Sequence, residues 1–285
     1  MSIHWFPGHM AKARRLLEDN IKLVDAVIEL RDARVPFASA NPLLAEIVGD
    51  KPVVIALTKP DLADDRATRK FAATFAIEGI ACVAVNAREN RGTKELMALV
   101  ETVAEGRVPR DKAKGVALRP VRVMIAGIPN VGKSSLMNSL SGRAAAKTGA
   151  TPGLTRTKQW ITLKSGIEVL DTPGLLWPRM DKGDVAFKLA VTGAIGEGGF
   201  DSLELAVQLI MFLAAEYPAA LTERYKMEFT PELSGEQLLT QLGKRRGCLV
   251  SGGEVDLNRA ADTLLSEFRS GKVGRFTLDK DTDNV

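Results

Sequence analysis

Val121-Arg-Val-Met-Ile-Ala-Gly-Ile-Pro-Asn-Val-Gly-Lys-Ser134 is the stretch from which the fold of this chain is read. Its first half, Val121 to Ala126, is a short apolar run of the kind that forms a buried strand. Its second half, Gly127 to Ser134, fits G-x-x-x-x-G-K-S, and a helical pattern starts at Lys133. A glycine-bearing turn between a buried strand and a helix is built to hold phosphate. The glycines let the backbone wrap the anion, whose charge meets free amides and the positive end of the helix dipole. In this pattern Lys133 reaches the outer phosphates and the Ser134 hydroxyl is a magnesium ligand. Asn130, Val131, Gly132 and Ser135 complete the candidate phosphate-binding set.

Upstream of this stretch lie three strand-like runs, Val24 to Leu30, Val53 to Leu57 and Ala81 to Val85. Helical patterns follow them at Leu43 to Val48, Arg66 to Ala76 and Thr93 to Ala104. Strands alternating with helices predict a parallel sheet covered on both faces. A polar linker, Gly106 to Pro120, leads into the phosphate-loop strand, and downstream Gln159 to Leu163 and Ile167 to Leu170 read as a hairpin. Past Pro178 only helical spacings remain, at Asp184 to Ile195, Ser202 to Ala215, Ala219 to Tyr225, Ser234 to Arg245 and Leu257 to Ser270. The expected fold is therefore α/β, a doubly wound phosphate-loop domain over 1–178, followed by a smaller all-α domain over 179–285.

Composition agrees with two ordinary folded domains: 285 residues, 45% hydrophobic and 26% charged. Disordered, collagenous and coiled-coil classes are excluded. The longest apolar stretch, Leu205 to Ala215, falls short of the roughly 20 residues that span a bilayer, and no signal peptide opens the chain. The expectation is a soluble, cytoplasmic protein with no membrane partner. Cys82 and Cys248 are too few for a disulfide framework or a zinc site and are expected to be buried thiols. The net charge of +4 is unevenly spread, with basic runs over Gly142 to Ile167 and Arg107 to Arg122 that suit a phosphate-rich partner.

Three further motifs define the chemistry. Asp171-Thr-Pro-Gly174 follows Ser134 by thirty-seven residues. Paired with a phosphate loop, it is a γ-phosphate sensor in which Asp171 approaches magnesium through a water and the Gly174 amide meets the phosphate. Between them, Thr155 is a second candidate magnesium hydroxyl. After the second strand stands Thr58-Lys59-Pro60-Asp61, a variant of NKxD with Thr in place of Asn; the Asp61 carboxylate is the acceptor for guanine N1 and N2, which adenine does not offer. Asn86-Ala87-Arg88, after the third strand, is similar to the SAK motif that completes a guanine site. Asp61 also disfavours an ATP-dependent kinase or helicase.

The order of these motifs is permuted, since the guanine motifs precede the phosphate loop. A parallel sheet tolerates this because ligand contacts arise at the carboxyl ends of strands whose neighbours need not change. With Trp5-Phe-Pro-Gly-His-Met10, Asp32-Ala-Arg-Val-Pro36, the permuted motifs and the helical tail, the chain resembles the circularly permuted GTPases of the YlqF/RbgA type over nearly its whole length. The resemblance implies GTP and GDP as ligands with Mg2+, and action in late assembly of the large ribosomal subunit. It also implies a helical domain that contacts rRNA and hydrolysis stimulated by the pre-ribosomal particle. Where many GTPases place a water-positioning Gln after DTPG, this chain has Leu175; the resemblance assigns that task to His9. Asn130 is similar to the asparagine that coordinates K+ in some GTPases. Lys244, Arg245, Arg246, Arg269, Lys272 and Arg275 are the candidate RNA cations, and the chain is expected to be a monomer. The rival reading is an rRNA-binding module locked by GTP, in which hydrolysis is incidental.

Overall fold

The computed structural model describes residues 7–108, 110–111, 116–117, 119–142, 159–172, 183–227 and 232–280. The chain divides into two compact units. Of the described residues, one holds those from Pro7 to Thr172 together with Thr277–Lys280, and the other those from Gly183 to Phe276.

In the first unit the order is α1 (Pro7–Ile21), β1 (Ala26–Asp32), α2 (Pro42–Val48), β2 (Val53–Thr58), α3 (Asp65–Ile77), β3 (Ala81–Val85), α4 (Thr93–Val103), β4 (Arg110–Asp111), β5 (Val116–Ala117), β6 (Arg122–Gly127), α5 (Lys133–Ser141), β7 (Gln159–Thr162) and β8 (Glu168–Asp171). Six strands form one sheet in the order β3-β2-β1-β6-β8-β7. All pairs are parallel except the edge pair β7–β8. The chain steps outward from β1 to β2 to β3, returns to β6 beside β1, and then steps the other way to β8. Because crossovers between parallel strands are right-handed, this reversal puts α2 and α3 on one face and α4 and α5 on the other. The first face is packed in two clusters. Leu17, Ile21, Val27, Leu44, Val48, Met124 and Leu170 join α1 and α2 to the sheet, and Ile55, Leu57, Phe71 and Phe75 seat α3. Each such fully buried side chain contributes about 1.5–3 kcal/mol of transfer free energy.

The second unit is helical: α6 (Gly183–Val191), α7 (Ser202–Glu216), α8 (Pro218–Tyr225), α9 (Gly235–Arg246) and α10 (Leu257–Arg269). Helices α7, α9 and α10 pack on one another, burying Leu205, Leu209, Leu213, Leu238, Leu242, Leu264 and Phe268. The Ser234 hydroxyl accepts from the Gln237 amide while the Gln237 side chain accepts from the Ser234 amide, a reciprocal cap that fixes where α9 starts. Among the described residues, no single helix is long and apolar enough to cross a membrane.

The short antiparallel pair β4–β5 lies inside the segment read as a polar linker, the first of several places where the structure differs from the sequence reading. Helix α1 has no counterpart in it, because its described inward stripe is only Leu17 and Ile21 among Arg14, Arg15, Glu18, Asp19 and Asn20. Strand β1 starts and ends two residues later than the run Val24 to Leu30, which brings Asp32 into the interior with Glu29. Helix α6 stops at Val191, not Ile195: Gly193, at φ 81, turns the chain, and its amide and that of Ala194 donate back to Ala190 and Leu189. Cys248 is buried, but Cys82 is only partly so, and burial still pushes its thiol up to about 12.

Candidate functional site

Between β1 and β6 the order in which strands are added to the sheet reverses, the point at which doubly wound sheets bind ligands at the carboxyl ends of their strands. Every described sequence motif with assigned chemistry in the first unit, apart from His9, ends a strand at this edge. Thr58 closes β2, Asn86 follows β3, Gly127 closes β6 and Asp171 closes β8, pairing across to Ile125.

The phosphate loop is shaped by backbone approach. A Cβ on Gly127 would meet the Leu30 carbonyl oxygen at 2.8 Å, so the close crossing of β1 and the loop admits only glycine. Asn130 turns at φ 56, left-handed geometry that its short amide tolerates. Lys133 is buried, and its Nζ donates to the carbonyls of Gly127 at 3.1 Å and Ile128 at 2.7 Å, which holds the ammonium inside the loop. Ser134 and Ser135, in the first turn of α5, are partly exposed. Among the described residues no group of three His, Cys, Asp or Glu could hold a metal. A divalent cation here would rest on the Ser134 hydroxyl and on phosphate oxygens, the sparse donor set that Mg2+ accepts.

The guanine side is tied to the phosphate side by one buried hydroxyl. Thr58 Oγ1 lies 2.7 Å from the Val131 carbonyl oxygen and 3.1 Å from that of Arg31. It has a single proton, and the shorter contact takes it. The Thr that replaces Asn in the NKxD pattern therefore holds the second strand's end against the phosphate loop. On the other side Thr172 ties the end of β8 to strand β6, donating from its buried hydroxyl to the Ile125 carbonyl at 2.6 Å.

Beyond Thr58 the chain turns at Lys59, in left-handed conformation at φ 54, into a short 3-10 turn over Pro60–Leu62. A lysine in that conformation is held by its surroundings. Lys59 Nζ sits 2.9 Å from Asp32 Oδ2, and Arg34 grips the same carboxylate with two bonds of 2.9 and 2.8 Å. Asp32 and Arg34 are almost fully buried. Burial alone would raise the Asp32 carboxyl; the adjacent Arg34 and Lys59 cations outweigh it and hold Asp32 well below the usual carboxylate range. Asp61 is half-buried, and among the described residues its carboxylate has no hydrogen-bond partner. Asn86 is buried; its Oδ1 accepts from the amides of Arg88 and Glu89, whereas its Nδ2 donor has no partner among the described residues. An unpaired acceptor and an unpaired buried donor at adjacent strand ends, with Ala87 in the turn between, suit a base edge that both gives and receives hydrogen bonds.

A family model described as 50S ribosome-binding GTPase matches residues 122–221. Ribosome biogenesis GTPase A of Bacillus cereus is 43% identical over 98% of this chain and 94% of that relative. The chain belongs to the ribosome biogenesis GTPase A family. The Thermotoga maritima member is 30% identical over 98% of this chain and 95% of its own length. The structure of GDP-bound YlqF matches with a TM-score of 0.69 at 27% identity, over 94% of this chain and all of that one. The fold is thus the circularly permuted phosphate-loop GTPase fold of this ribosome biogenesis GTPase family.

Of the other sequence-predicted residues, Thr155, Gly174 and Leu175 lie outside the described residues, as do the side chains of His9 and Asp171. His9 itself is in the first turns of α1. Several cations read as free for phosphate are instead structural. Arg119 makes two 2.7 Å bonds to Asp25, and Arg122 pairs with Glu168 at 2.8 Å while lying over the Trp160 ring. In the helical unit Arg246 pairs with Glu267 and stacks on Tyr225. Arg269 donates to the Ala190 and Val191 carbonyls at the end of α6. Lys244, Arg245, Lys272 and Arg275 remain exposed. Sequence reasoning missed Arg34 and Thr172 as supports of the site; a buried DAR segment at a strand end was the available signal.

Proposed function

We propose that the chain hydrolyses GTP to GDP and phosphate during late assembly of the large ribosomal subunit, with stimulation by the pre-ribosomal particle. In this reading it is a cytoplasmic monomer with no membrane partner, and its helical domain, which ends at Phe276 and not at 285, docks on rRNA. Asp61 takes guanine N1 and N2, and Asn86 with the Ala87 amide faces the base carbonyl. Asn130 to Ser135 hold the phosphates, with Lys133 on the outer two. Ser134 and Thr155 would hold Mg2+, Asp171 reaching it through a water, and Asn130 would hold K+. Bound Mg2+ supplies charge neutralisation on the β and γ phosphates. The Gly174 amide senses the γ-phosphate, and His9 orients the attacking water or takes its proton.

The observation that supports this most directly is the Thr58 hydrogen bond to Val131, which sets the TKPD turn and the phosphate loop side by side at the sheet's reversal point. The reading is tested by GTP turnover with and without large-subunit precursor particles, for the parent and for His9→Ala. The particles should accelerate the parent, and His9→Ala should keep GTP affinity while losing about 100-fold of the stimulated rate, the usual worth of an acid-base group. Turnover indifferent to the particles would favour the GTP-locked rRNA-binding module instead.

A further inference from the structure

The last described residues fold back onto the first unit. Thr277, Leu278 and Asp279 are all buried. The Leu278 amide donates to the Arg34 carbonyl at 2.8 Å. Asp279 Oδ2 accepts from the amides of Phe37 at 2.6 Å and Ala38 at 3.1 Å. Thr277 Oγ1 accepts from the Asp64 amide at 3.2 Å. These are the two segments that flank the TKPD turn. Arg34 holds Asp32, which holds Lys59; Asp64 caps α3 three residues after Asp61, accepting from the Ala67 amide at 2.7 Å. The Phe37 ring stands edge-on to Phe71 and Phe75 of α3, with centroids 5.1 and 5.8 Å away, so the loop after β1, the strap and α3 form one packed body.

We propose that Thr277–Asp279 is a positioning strap for guanine recognition, with Asp279 its principal residue. The strap touches no part of the base. It fixes the loops on either side of Lys59 and Asp61, so that the Asp61 carboxylate is held where the base arrives and not on a turn free to shift. Two backbone amides on one buried carboxylate are charge-assisted bonds, stronger than the neutral bonds of an ordinary turn. This inference rests on the assignment of Asp61 to guanine.

The test measures affinity for a fluorescent GDP, KM and kcat for GTP, and thermal unfolding in full-length Asp279→Ala, Asp279→Asn, Thr277→Val and Asp61→Asn. Asp279→Ala should raise Kd and KM about tenfold, the equivalent of one well-made hydrogen bond, with kcat at saturation unchanged. Asp279→Asn keeps an amide oxygen for the two amides and should recover most of the affinity. Should Asp279→Ala fail to fold, Thr277→Val, which removes the acceptor for the Asp64 amide, should still raise Kd about threefold. A lower melting temperature with unchanged Kd in Asp279→Ala, or in Thr277→Val if only that variant folds, would make the strap a stabilising contact only and overturn the proposal. Loss of GDP affinity in Asp61→Asn but in no strap variant overturns the strap alone. Unchanged affinity in Asp61→Asn removes the guanine assignment and the strap's role with it.

Discussion

Thr58→Val removes a single proton donor and nothing else of consequence in size, which makes it the sharpest test of how the site is held together. Thr58 is buried, and its hydroxyl gives the Val131 carbonyl a 2.7 Å bond. With Val in place the carbonyl loses that donor. A broken hydrogen bond that strands a buried partner costs about 1–3 kcal/mol. In a domain of this size each kcal/mol lowers the melting temperature by roughly 2–4 °C, so a fall of about 2–12 °C is expected. The same bond sets the TKPD turn against the phosphate loop, so part of the loss should reappear as weaker GDP binding, roughly tenfold if about 1.4 kcal/mol of preorganisation is lost. Thermal unfolding with and without saturating GDP, alongside titration of a fluorescent GDP, separates the two effects. If Thr58→Val kept both its melting temperature and its GDP affinity, the Thr58–Val131 bond would not be what joins the two halves of the site. Thr58→Asn should lose neither, since its amide also donates.

Four further outcomes follow from the geometry. Asp61→Asn exchanges the acceptor for a donor and should move preference from guanine to xanthine nucleotides; undiminished GTP binding would refute the assignment of Asp61. Lys244→Ala with Arg245→Ala should lower the salt dependence of rRNA binding by about 0.7–0.9 log units for each phosphate no longer neutralised, leaving the melting temperature alone. Arg269→Met, which uncaps the Ala190 and Val191 carbonyls, should lower the melting temperature and spare the salt slope; the reverse pattern would show that the two sets of cations have been misassigned. Asp32, whose carboxyl is held below its usual range, contributes stability in full above the unfolded value near 4 and loses it as pH falls through the folded one. Asp32→Asn should therefore be destabilised by about 3–5 kcal/mol at pH 7, and the gap from the parent in urea midpoint should narrow below about pH 4; a gap constant from pH 7 to pH 3 would contradict the ionised cluster.

How much of this was legible in the sequence depends on how local the cause is. The phosphate loop is eight consecutive residues whose glycines, lysine and serine act on one ligand, so pattern and function coincide. Buried parallel strands announce themselves as unbroken apolar runs, and β2 and β3 fall where Val53–Leu57 and Ala81–Val85 place them, β2 ending one residue later. Helix ends set by a left-handed glycine, as at Gly193, are less legible because the apolar spacing continues past them. Cations are least legible of all. Arg245 and Arg246 are neighbours in sequence, yet one is exposed and the other is paired with Glu267 on another helix; charge count alone has no means of separating them.

The contacts that tie the guanine turn to the rest of the sheet are long-range in sequence. Lys59 reaches Asp32 across 27 positions, Thr58 reaches Val131 across 73, and Phe37 reaches Asp279 across 242. Permutation is compatible with such a site for a physical reason. None of these bonds depends on which motif comes first along the chain. The first two depend only on β2, β1 and β6 lying side by side with their carboxyl ends at one edge, and parallel pairing with right-handed crossovers fixes that arrangement from either order. What permutation does change is the closing step. The guanine half is complete in sequence by Arg88, the phosphate half only after Asp171, and the strap that holds the guanine turn only at Asp279. A turn whose geometry is completed by Thr277–Asp279 is fully braced only when that distant segment is docked. Contacts of such high sequence separation carry the largest loop-closure entropy in the unit, and the buried charge-assisted bonds of Asp279 offset that cost at the point where it is greatest.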